Sequence, residues 1–230
     1  MCGDVIDNRR LRLAERVREL LEEGATAACF VVGYLFLDGL LPLGNALERL
    51  TSVEILIGNV VNRLTEEQVR EETGAHLRGG EDWVRPQEDV AASLREIYDR
   101  ASVETALNLR RTIGDLPRTP EIRALLFTLA RRIADGGLKV RLYTAGRIHA
   151  KLTLIDYEAD KLNLAVVGSS NLTLGSAAAA TEMNVVVREP QDVAALRSWY
   201  LALWESSQDF HRVLFDELAQ SWALQAALSP

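Results

Sequence analysis

The sequence has little cysteine and little lysine. Only two of its 230 residues are cysteines, Cys2 and Cys29, and only three are lysines, Lys139, Lys151 and Lys161. Two cysteines exclude a disulfide framework and favour a reducing compartment. There is no CxxC motif and no Cys/His cluster with the spacing of a zinc site, so no structural zinc is predicted. Because lysine is rare here, the position of each one is informative.

Long apolar runs and an excess of basic charge are also lacking. The longest apolar run, Ala25–Leu37, is too short to cross a bilayer, and the N-terminal sequence has no apolar core of a signal peptide. The formal net charge of −7 excludes a uniformly basic nucleic-acid-binding surface but leaves room for a local basic patch. We therefore predict a cytoplasmic protein. Its length suits one sizeable domain or two small ones, and we predict a single domain over 1–230.

The first part of the chain has a βαβ pattern. A charged amphipathic helix over Asn8–Glu23 precedes a strand over Ala27–Leu37 that is apolar at every position. A strand of that kind is buried on both faces, as in a sheet covered by two helical layers. A short helix over Pro42–Leu50 and a second apolar strand over Val53–Ile57 follow. This order predicts parallel pairing with a right-handed crossover.

The middle of the chain changes character. Residues 64–80 are rich in Glu, Arg and Thr, and Pro86–Leu109 has helical periodicity, so we predict a helical insertion over about 64–109. Leu109–Pro120 is predicted to be a loop. Its arginines, Arg110, Arg111 and Arg118, are explained either by a solvated connector or by a basic rim that binds a polyanion.

The last part alternates strands with long helices. The clearest helix, Pro120–Asp135, has proline in its first turn and one apolar stripe. The further predicted elements are strands over Lys139–Tyr143, Ile148–Asp156, Leu162–Ser169 and Thr181–Val187, and helices over Pro190–Ser206 and Asp209–Leu228.

Two of these strands bring reactive side chains together. At a period of two, His149 and Lys151 share one face of their strand, and Asp156 points the other way. In the next strand Ser169 and Asn171 share a face, with Gly168 and Ser170 turned from it. If the strands are neighbours, one surface carries an imidazole, an ammonium, a hydroxyl and a carboxamide. Such a set is suited to holding a phosphate and attacking it.

The pattern His149-x-Lys151-x4-Asp156, followed by Gly168-Ser169-x-Asn171, resembles the HKD signature of the phospholipase D superfamily. The resemblance, together with the order of elements, implies an α/β/α sandwich with a mixed, mostly parallel central sheet. It also implies phosphodiester cleavage without a metal or other cofactor, through a phosphohistidine. The residues implied to be catalytic are His149, Lys151, Ser169, Asn171 and Glu182, with Asp156 in a supporting role.

Only one copy of the motif is present, because His76 and His211 have no lysine two residues on. Family members with one motif resemble small endonucleases that build one active site from two chains, so the resemblance implies a homodimer with two facing copies of His149. The eleven residues Tyr157–Val167 between the two motif segments exceed the usual spacing, which we attribute to a longer hairpin.

Three functions fit this motif. The first is a nuclease acting on DNA or RNA, in which Arg147, Arg110, Arg111 and Arg118 contact the phosphate backbone. The others are a phospholipid phosphodiesterase and a catalytically silent nucleic-acid-binding module. The segments YLFLDGLLPLGNALERL and VEILIGN also resemble the N-terminal nuclease-like domain of some SNF2-type helicases. That likeness implies a piece of a longer protein with a helicase domain after it.

Overall fold

The computed structural model describes residues 5–7, 12–58, 87–146, 148–158, 161–170 and 182–228. These residues include an eight-stranded sheet. Its strands are β1 (Val5–Ile6), β2 (Ala25–Val32), β3 (Ser52–Gly58), β4 (Leu138–Tyr143), β5 (Lys151–Tyr157), β6 (Leu164–Gly168), β7 (Asn184–Val187) and β8 (Gln208–Asp209). Their order in the sheet is β1-β7-β6-β5-β2-β3-β4-β8.

The helices pack on both faces of the sheet. They are α1 (Leu13–Glu22), a 3₁₀ helix (Asp38–Leu43), α2 (Gly44–Arg49), α3 (Gln87–Asp115), α4 (Pro120–Ala134), α5 (Pro190–Glu205), α6 (His211–Ala219) and α7 (Trp222–Leu228). Among the described residues no helix is both long enough and apolar enough to span a bilayer.

The strands alternate their side chains between two apolar cores. In β2, Phe30 belongs to the larger core with α1, α2, α4 and α6, whereas the adjacent Val31 belongs to a smaller core beneath α5. In β3, Ile55 and Leu56 divide in the same way. These strands are apolar throughout because both of their faces are buried. The expected α/β/α sandwich is therefore confirmed.

The sheet is mixed, as expected, and its parallel pairing is confined to the core strands β2, β3 and β4. The other pairings, including those of β5 with β2, β6 with β5 and β7 with β6, are antiparallel. The β5–β6 pairing is antiparallel because the connection is short: only six residues, 158–163, separate the two strands. Parallel pairing needs a crossover of a dozen or more residues.

The β5–β6 hairpin is fastened to α1. The Tyr157 hydroxyl donates to the Leu20 carbonyl oxygen at 2.8 Å, and the Tyr157 N–H donates to Asn163 Oδ1 at 3.0 Å. Lys161 Nζ donates to Glu23 Oε2 at 2.7 Å and lies 3.8 Å from the centroid of the Tyr157 ring. The long hairpin is thus an anchored turn at the end of the strands remote from Lys151.

Several predicted boundaries are wrong for identifiable reasons. Strand β2, which was predicted to reach Leu37, ends at Val32, because Gly33 begins a bend that leads into the 3₁₀ helix. The predicted loop over Leu109–Pro120 is mostly helical, since α3 continues to Asp115. Leu109 and Ile113, four residues apart, are 2% and 4% exposed and extend the buried stripe of that helix. The long C-terminal helix is two helices, broken at Gln220 and Ser221.

Other elements match their predictions closely. The β2–β3 crossover is parallel, and β3 and β4 lie within one residue of the predicted bounds. Helix α4 begins at Pro120 with Thr119 as its N-cap, whose side chain accepts from the Ile122 N–H at 3.3 Å. The part of the predicted insertion that the structure describes is α3, which packs against α6. Residues 59–86 lie outside the described residues.

Candidate active site

Six strand ends meet at one edge of the sheet. Given the pairing directions, these are the carboxyl ends of β2, β3, β4 and β6 and the amino ends of β5 and β7. The packing is close: a Cβ added to Gly58 would lie 3.2 Å from Ile148 Cβ and 3.3 Å from the Gly33 carbonyl oxygen. This edge therefore gathers the Ile148–Lys151 segment, the Gly168–Ser170 segment and Glu182.

Lys151 is the first residue of β5 and is half-buried. Its ammonium donates to the carbonyl oxygen of His149 at 2.8 Å. His149 is exposed and precedes the strand, so its predicted place within a strand is wrong. The reason is that pairing with β6 ends at Lys151, opposite Gly168, which leaves His149 beyond the ladder. The imidazole is thus open to solvent at the sheet edge.

Ser169 and Ser170 follow β6 and differ in environment. Ser169 is exposed, and its Oγ accepts from the Met183 N–H at 3.3 Å. Ser170 is 1% exposed and is bound to Asn184. The predicted orientation of Ser170, away from the site, is wrong, since Ser170 lines the same small pocket as Lys151. The register of Lys151 opposite Gly168 explains this, because side chains two residues apart share a face.

The lining of that pocket is partly polar. Its polar side chains are those of Lys151, Thr153, Ser170 and Asn184, and its apolar lining residues are Leu13, Val31, Val32, Leu152 and Val166. Ser170 and Asn184 are additions that the sequence interpretation missed. A possible signal was a single asparagine at the head of the apolar strand Asn184–Val187.

Glu182 is the remaining predicted catalytic residue that the structure describes. Glu182 is half-buried and directly precedes Met183, whose backbone binds Ser169. The strand predicted from Thr181 begins at Asn184. Asn171 and Arg147, which the sequence also assigns to the site, lie outside the described residues.

Asp156 lies on the opposite face of β5 from Lys151, as its parity predicts. Its carboxylate forms an ion pair with Arg197 of α5. Burial raises the pKa of Asp156, and the adjacent Arg197 guanidinium opposes part of that rise. Asp156 thus joins the motif strand to α5. The partner Arg197, 41 residues away in sequence, carried no signal that would have identified it.

We expect Arg197→Leu to lower the free energy of unfolding at pH 7 by about 1–3 kcal/mol, because a half-buried carboxylate loses its partner. Without Arg197 the folded-state pKa of Asp156 rises further above the unfolded value of about 3.9. The loss relative to wild type is therefore complete above the folded pKa and shrinks as the pH falls through it. Urea unfolding at pH 7 and pH 4 measures this. Equal losses at both pH values, or no recovery in the double variant with Asp156→Asn, would contradict the assignment.

A second polar cluster lies beneath α5. Glu54 Oε2 accepts from the Tyr200 hydroxyl at 2.8 Å and from Cys29 Sγ at 3.6 Å. Burial, reinforced by Glu54, raises the pKa of Cys29 to about 12, so this thiol stays protonated at neutral pH. The cluster therefore joins α5 to β2 and β3 and provides no thiolate nucleophile.

The predicted substrate-binding arginines have different partners. Arg110 forms a two-point ion pair with Glu217 of α6, at 2.8 and 2.7 Å, and thereby links α3 to α6. The hydrogen bonds that Arg110 donates to Glu217 raise the pKa of Arg110. The Arg118 guanidinium lies 5.8 Å from the centroid of the Trp222 ring, and Arg111 is exposed. Of the three predicted substrate-binding arginines that the structure describes, Arg111 and Arg118 therefore have no carboxylate partner among the described residues.

Residues 113–204 match the family model described as the PLD-like domain of cardiolipin synthase. The match spans less than half of the chain but contains β4 to β7, and with them His149, Lys151, Gly168, Ser169 and Glu182. The expected phospholipase D-like α/β fold is confirmed. No curated protein sequence matches the chain.

Solved structures with a similar fold are distant in sequence. The phosphatidylserine synthase of Haemophilus influenzae Rd KW20 is 17% identical, with a TM-score of 0.50, over 97% of this chain and 42% of that one. NucT from Helicobacter pylori is 14% identical, with a TM-score of 0.42, over 90% and 97% of the two chains. TrmBL2, an archaeal chromatin protein described as showing a novel mode of DNA binding, is 12% identical, with a TM-score of 0.39, over 91% and 54%.

Proposed function

We propose that this chain is a metal-independent phosphodiesterase and that the sheet edge around Lys151 is its active site. The observation that carries the proposal is the pairing of Lys151 with Gly168, which sets the His-x-Lys segment beside the Gly-Ser-Ser segment. The similarity of residues 113–204 to a PLD-like domain supports the same chemistry.

In the proposed reaction, neutral His149 attacks the phosphorus and the P–O bond to the leaving group breaks, giving a phosphohistidine. A protonated His149 from a second copy donates its proton to the leaving oxygen. That second histidine, now neutral, takes a proton from water, whose oxygen attacks the phosphohistidine and releases the phosphate. An imidazole suits both roles because its ordinary pKa is about 6.5.

The other motif residues stabilise charge and orientation in this scheme. Lys151 and Asn171 bind the phosphoryl oxygens, where negative charge accumulates in the transition state. Ser169 is assigned to the same site from the motif, and Glu182 fixes the tautomer of the histidine. In the free protein the Lys151 ammonium already donates a hydrogen bond to the His149 carbonyl oxygen, so this hydrogen bond holds the cation next to the residue that bears the nucleophile.

The scheme requires two chains. His149 is exposed at the sheet edge, where a second copy can approach it, and no other histidine in the sequence has the motif lysine. A homodimer with a two-fold axis through this edge would place the two imidazoles on opposite sides of one phosphate.

Nucleic acid is the substrate that we favour, DNA or RNA. Exposed Arg111 and Arg118, together with Arg147, supply cations for a phosphate backbone. Tyr34, 51% exposed, follows Gly33 at the site edge and offers a ring on which a base can stack. A motor domain of the helicase type after this chain would fit such a substrate.

A phospholipid is the second candidate substrate. The similarity of residues 113–204 to the PLD-like domain of cardiolipin synthase is the observation that favours it. The motif chemistry is common to both substrate classes, because it acts on the phosphodiester and not on the groups attached to it.

We expect the purified chain to cleave single-stranded DNA, duplex DNA or RNA in the presence of EDTA, and to have the mass of a dimer in light scattering. Vesicles of phosphatidylglycerol and of phosphatidylcholine, assayed under the same conditions, test the lipid alternative. Release of a lipid headgroup with no nucleic-acid cleavage would replace the nuclease by the phospholipid enzyme. Nucleic-acid binding without turnover would leave only a binding module, and activity that EDTA abolishes would contradict the mechanism.

A further inference from the structure

Asn184 is a buried polar residue that the catalytic scheme does not use. It is the first residue of β7, and its side chain is 1% exposed. Its Nδ2 donates to Ser170 Oγ at 2.7 Å, and its Oδ1 accepts from the Ser170 N–H at 3.3 Å. Both polar atoms of the carboxamide are thus bound to one residue, which is the residue directly before Asn171.

Gly168 makes this arrangement possible. Lys151, Gly168 and Asn184 lie in one row across β5, β6 and β7. A Cβ on Gly168 would lie 2.2 Å from Asn184 Oδ1 and 2.4 Å from the Met183 carbonyl oxygen, which is closer than atoms can approach. The carboxamide of Asn184 therefore occupies the space of the missing side chain, on the side of the sheet where Lys151 and Ser170 line the pocket.

Two further hydrogen bonds join the neighbouring residues Ser169 and Met183. The Ser169 N–H donates to the Met183 carbonyl oxygen at 3.2 Å, and the Met183 N–H donates to Ser169 Oγ at 3.3 Å. Four hydrogen bonds thus join Ser169 and Ser170 to Met183 and Asn184 after the last strand pair. They fix the point at which the chain leaves the sheet towards Asn171.

We propose that Asn184 is a positioning residue that holds the Gly168–Ser170 segment, and with it Ser169, in register with Lys151. This inference rests on the proposed function for its catalytic consequence. A displacement of about 1 Å at a reacting group can cost about 10²-fold in rate. A buried carboxamide bound at both ends limits such displacement, because each alternative position leaves a buried polar group without a partner.

The test is the kinetics of Asn184→Ala, Ser170→Ala and the double variant, with bis(p-nitrophenyl) phosphate as substrate in EDTA. We expect Asn184→Ala to lower kcat about 10- to 100-fold with KM changed by less than about threefold. Because Asn184 acts through Ser170, the double variant should lose no more than the larger single loss. Ser170→Ala removes the hydroxyl but keeps the hydrogen bond from the Ser170 N–H to Asn184. It is therefore the milder variant to use if Asn184→Ala folds poorly.

Asn163→Ala is the matched control. Asn163 also accepts a backbone N–H through Oδ1, at the opposite end of β6, where β6 follows the hairpin from β5. Its kcat should stay within about twofold of wild type. A kcat of Asn184→Ala equal to that of Asn163→Ala, or additive losses in the double variant, would overturn the inference.

Amide hydrogen exchange separates this inference from the proposed function. We expect Asn184→Ala to accelerate exchange at Ser169, Ser170 and Met183, and Asn163→Ala to leave these amides unchanged. If wild type lacks turnover, the proposed function fails and exchange alone decides whether Asn184 holds the turn. Unchanged exchange in Asn184→Ala would then overturn the positioning role.

Discussion

Replacing His149 with alanine should reduce phosphodiester cleavage by about 10⁴-fold or more. In the proposed dimer, the substitution removes the nucleophile from one subunit and the proton donor from the other, so both roles would be lost together. General acid catalysis alone contributes about 10²- to 10⁴-fold, and the loss of a nucleophile also removes the covalent route. The measurement is single-turnover cleavage of the best substrate in EDTA, by wild type and His149→Ala.

His211→Ala is the control for that experiment. His211 is the other histidine among the described residues; it is exposed at the start of α6 and lacks the lysine two residues on. Its removal should leave the rate within about twofold of wild type and the folding unchanged. Comparable activity in His149→Ala, or equal losses in the two variants, would rule out the phosphohistidine mechanism. Trapping a ³²P-labelled intermediate that disappears in His149→Ala would support it directly.

Replacing Lys151 with methionine should lower kcat by about 10²- to 10³-fold. Lys151 is half-buried. In the proposed reaction its ammonium lies where negative charge develops on the phosphoryl oxygens, and one such donor contributes about 3–4 kcal/mol to the transition state. Methionine keeps the length of the side chain and removes only the charge. Initial rates across a range of substrate concentrations separate kcat from KM.

Lys139→Met provides the comparison, because Lys139 is an exposed lysine of β4 within the same sheet. It should alter neither kcat nor the thermal midpoint by a measurable amount. Lys151→Arg should recover little of the activity, since a planar guanidinium does not fit the place of a compact ammonium beside the His149 carbonyl. A Lys151→Met enzyme with full kcat and raised KM would reduce Lys151 to a residue that binds substrate and transition state equally.

Local sequence signals predicted the elements whose causes are local. The apolar stripe and the Thr119 cap determine α4, and the βαβ pattern determines the parallel β2–β3 pair, so both were predictable. The end of β2 was not predictable, because Val32 and Leu37 are equally apolar and only the bend at Gly33 marks the boundary. The helical segment up to Asp115 was missed because its burial depends on α6, which is distant in sequence.

The residues of the proposed site could be named from the sequence, but their arrangement could not. The motif spacing identified His149, Lys151 and Ser169, and period two placed Asp156 on the far face. Which hydroxyl accompanies Lys151 depends on the strand register, which the turn between the strands helps to set and the motif spacing does not. The contacts that Asn184 and Arg197 make are tertiary, so the motif spacing does not identify either partner.

The anchored hairpin between β5 and β6 has a consequence for how this chain tolerates insertions and deletions. The ladder between β5 and β6 has five residue pairs, from Lys151–Gly168 to Ile155–Leu164, so the hairpin beyond it lies about 15–20 Å from the motif. Yet a slip of one residue in the ladder would turn every side chain of the moving strand to the other face. A change of one residue in the length of 158–163 that shifted this ladder would therefore alter the proposed site, although no residue of that site would differ.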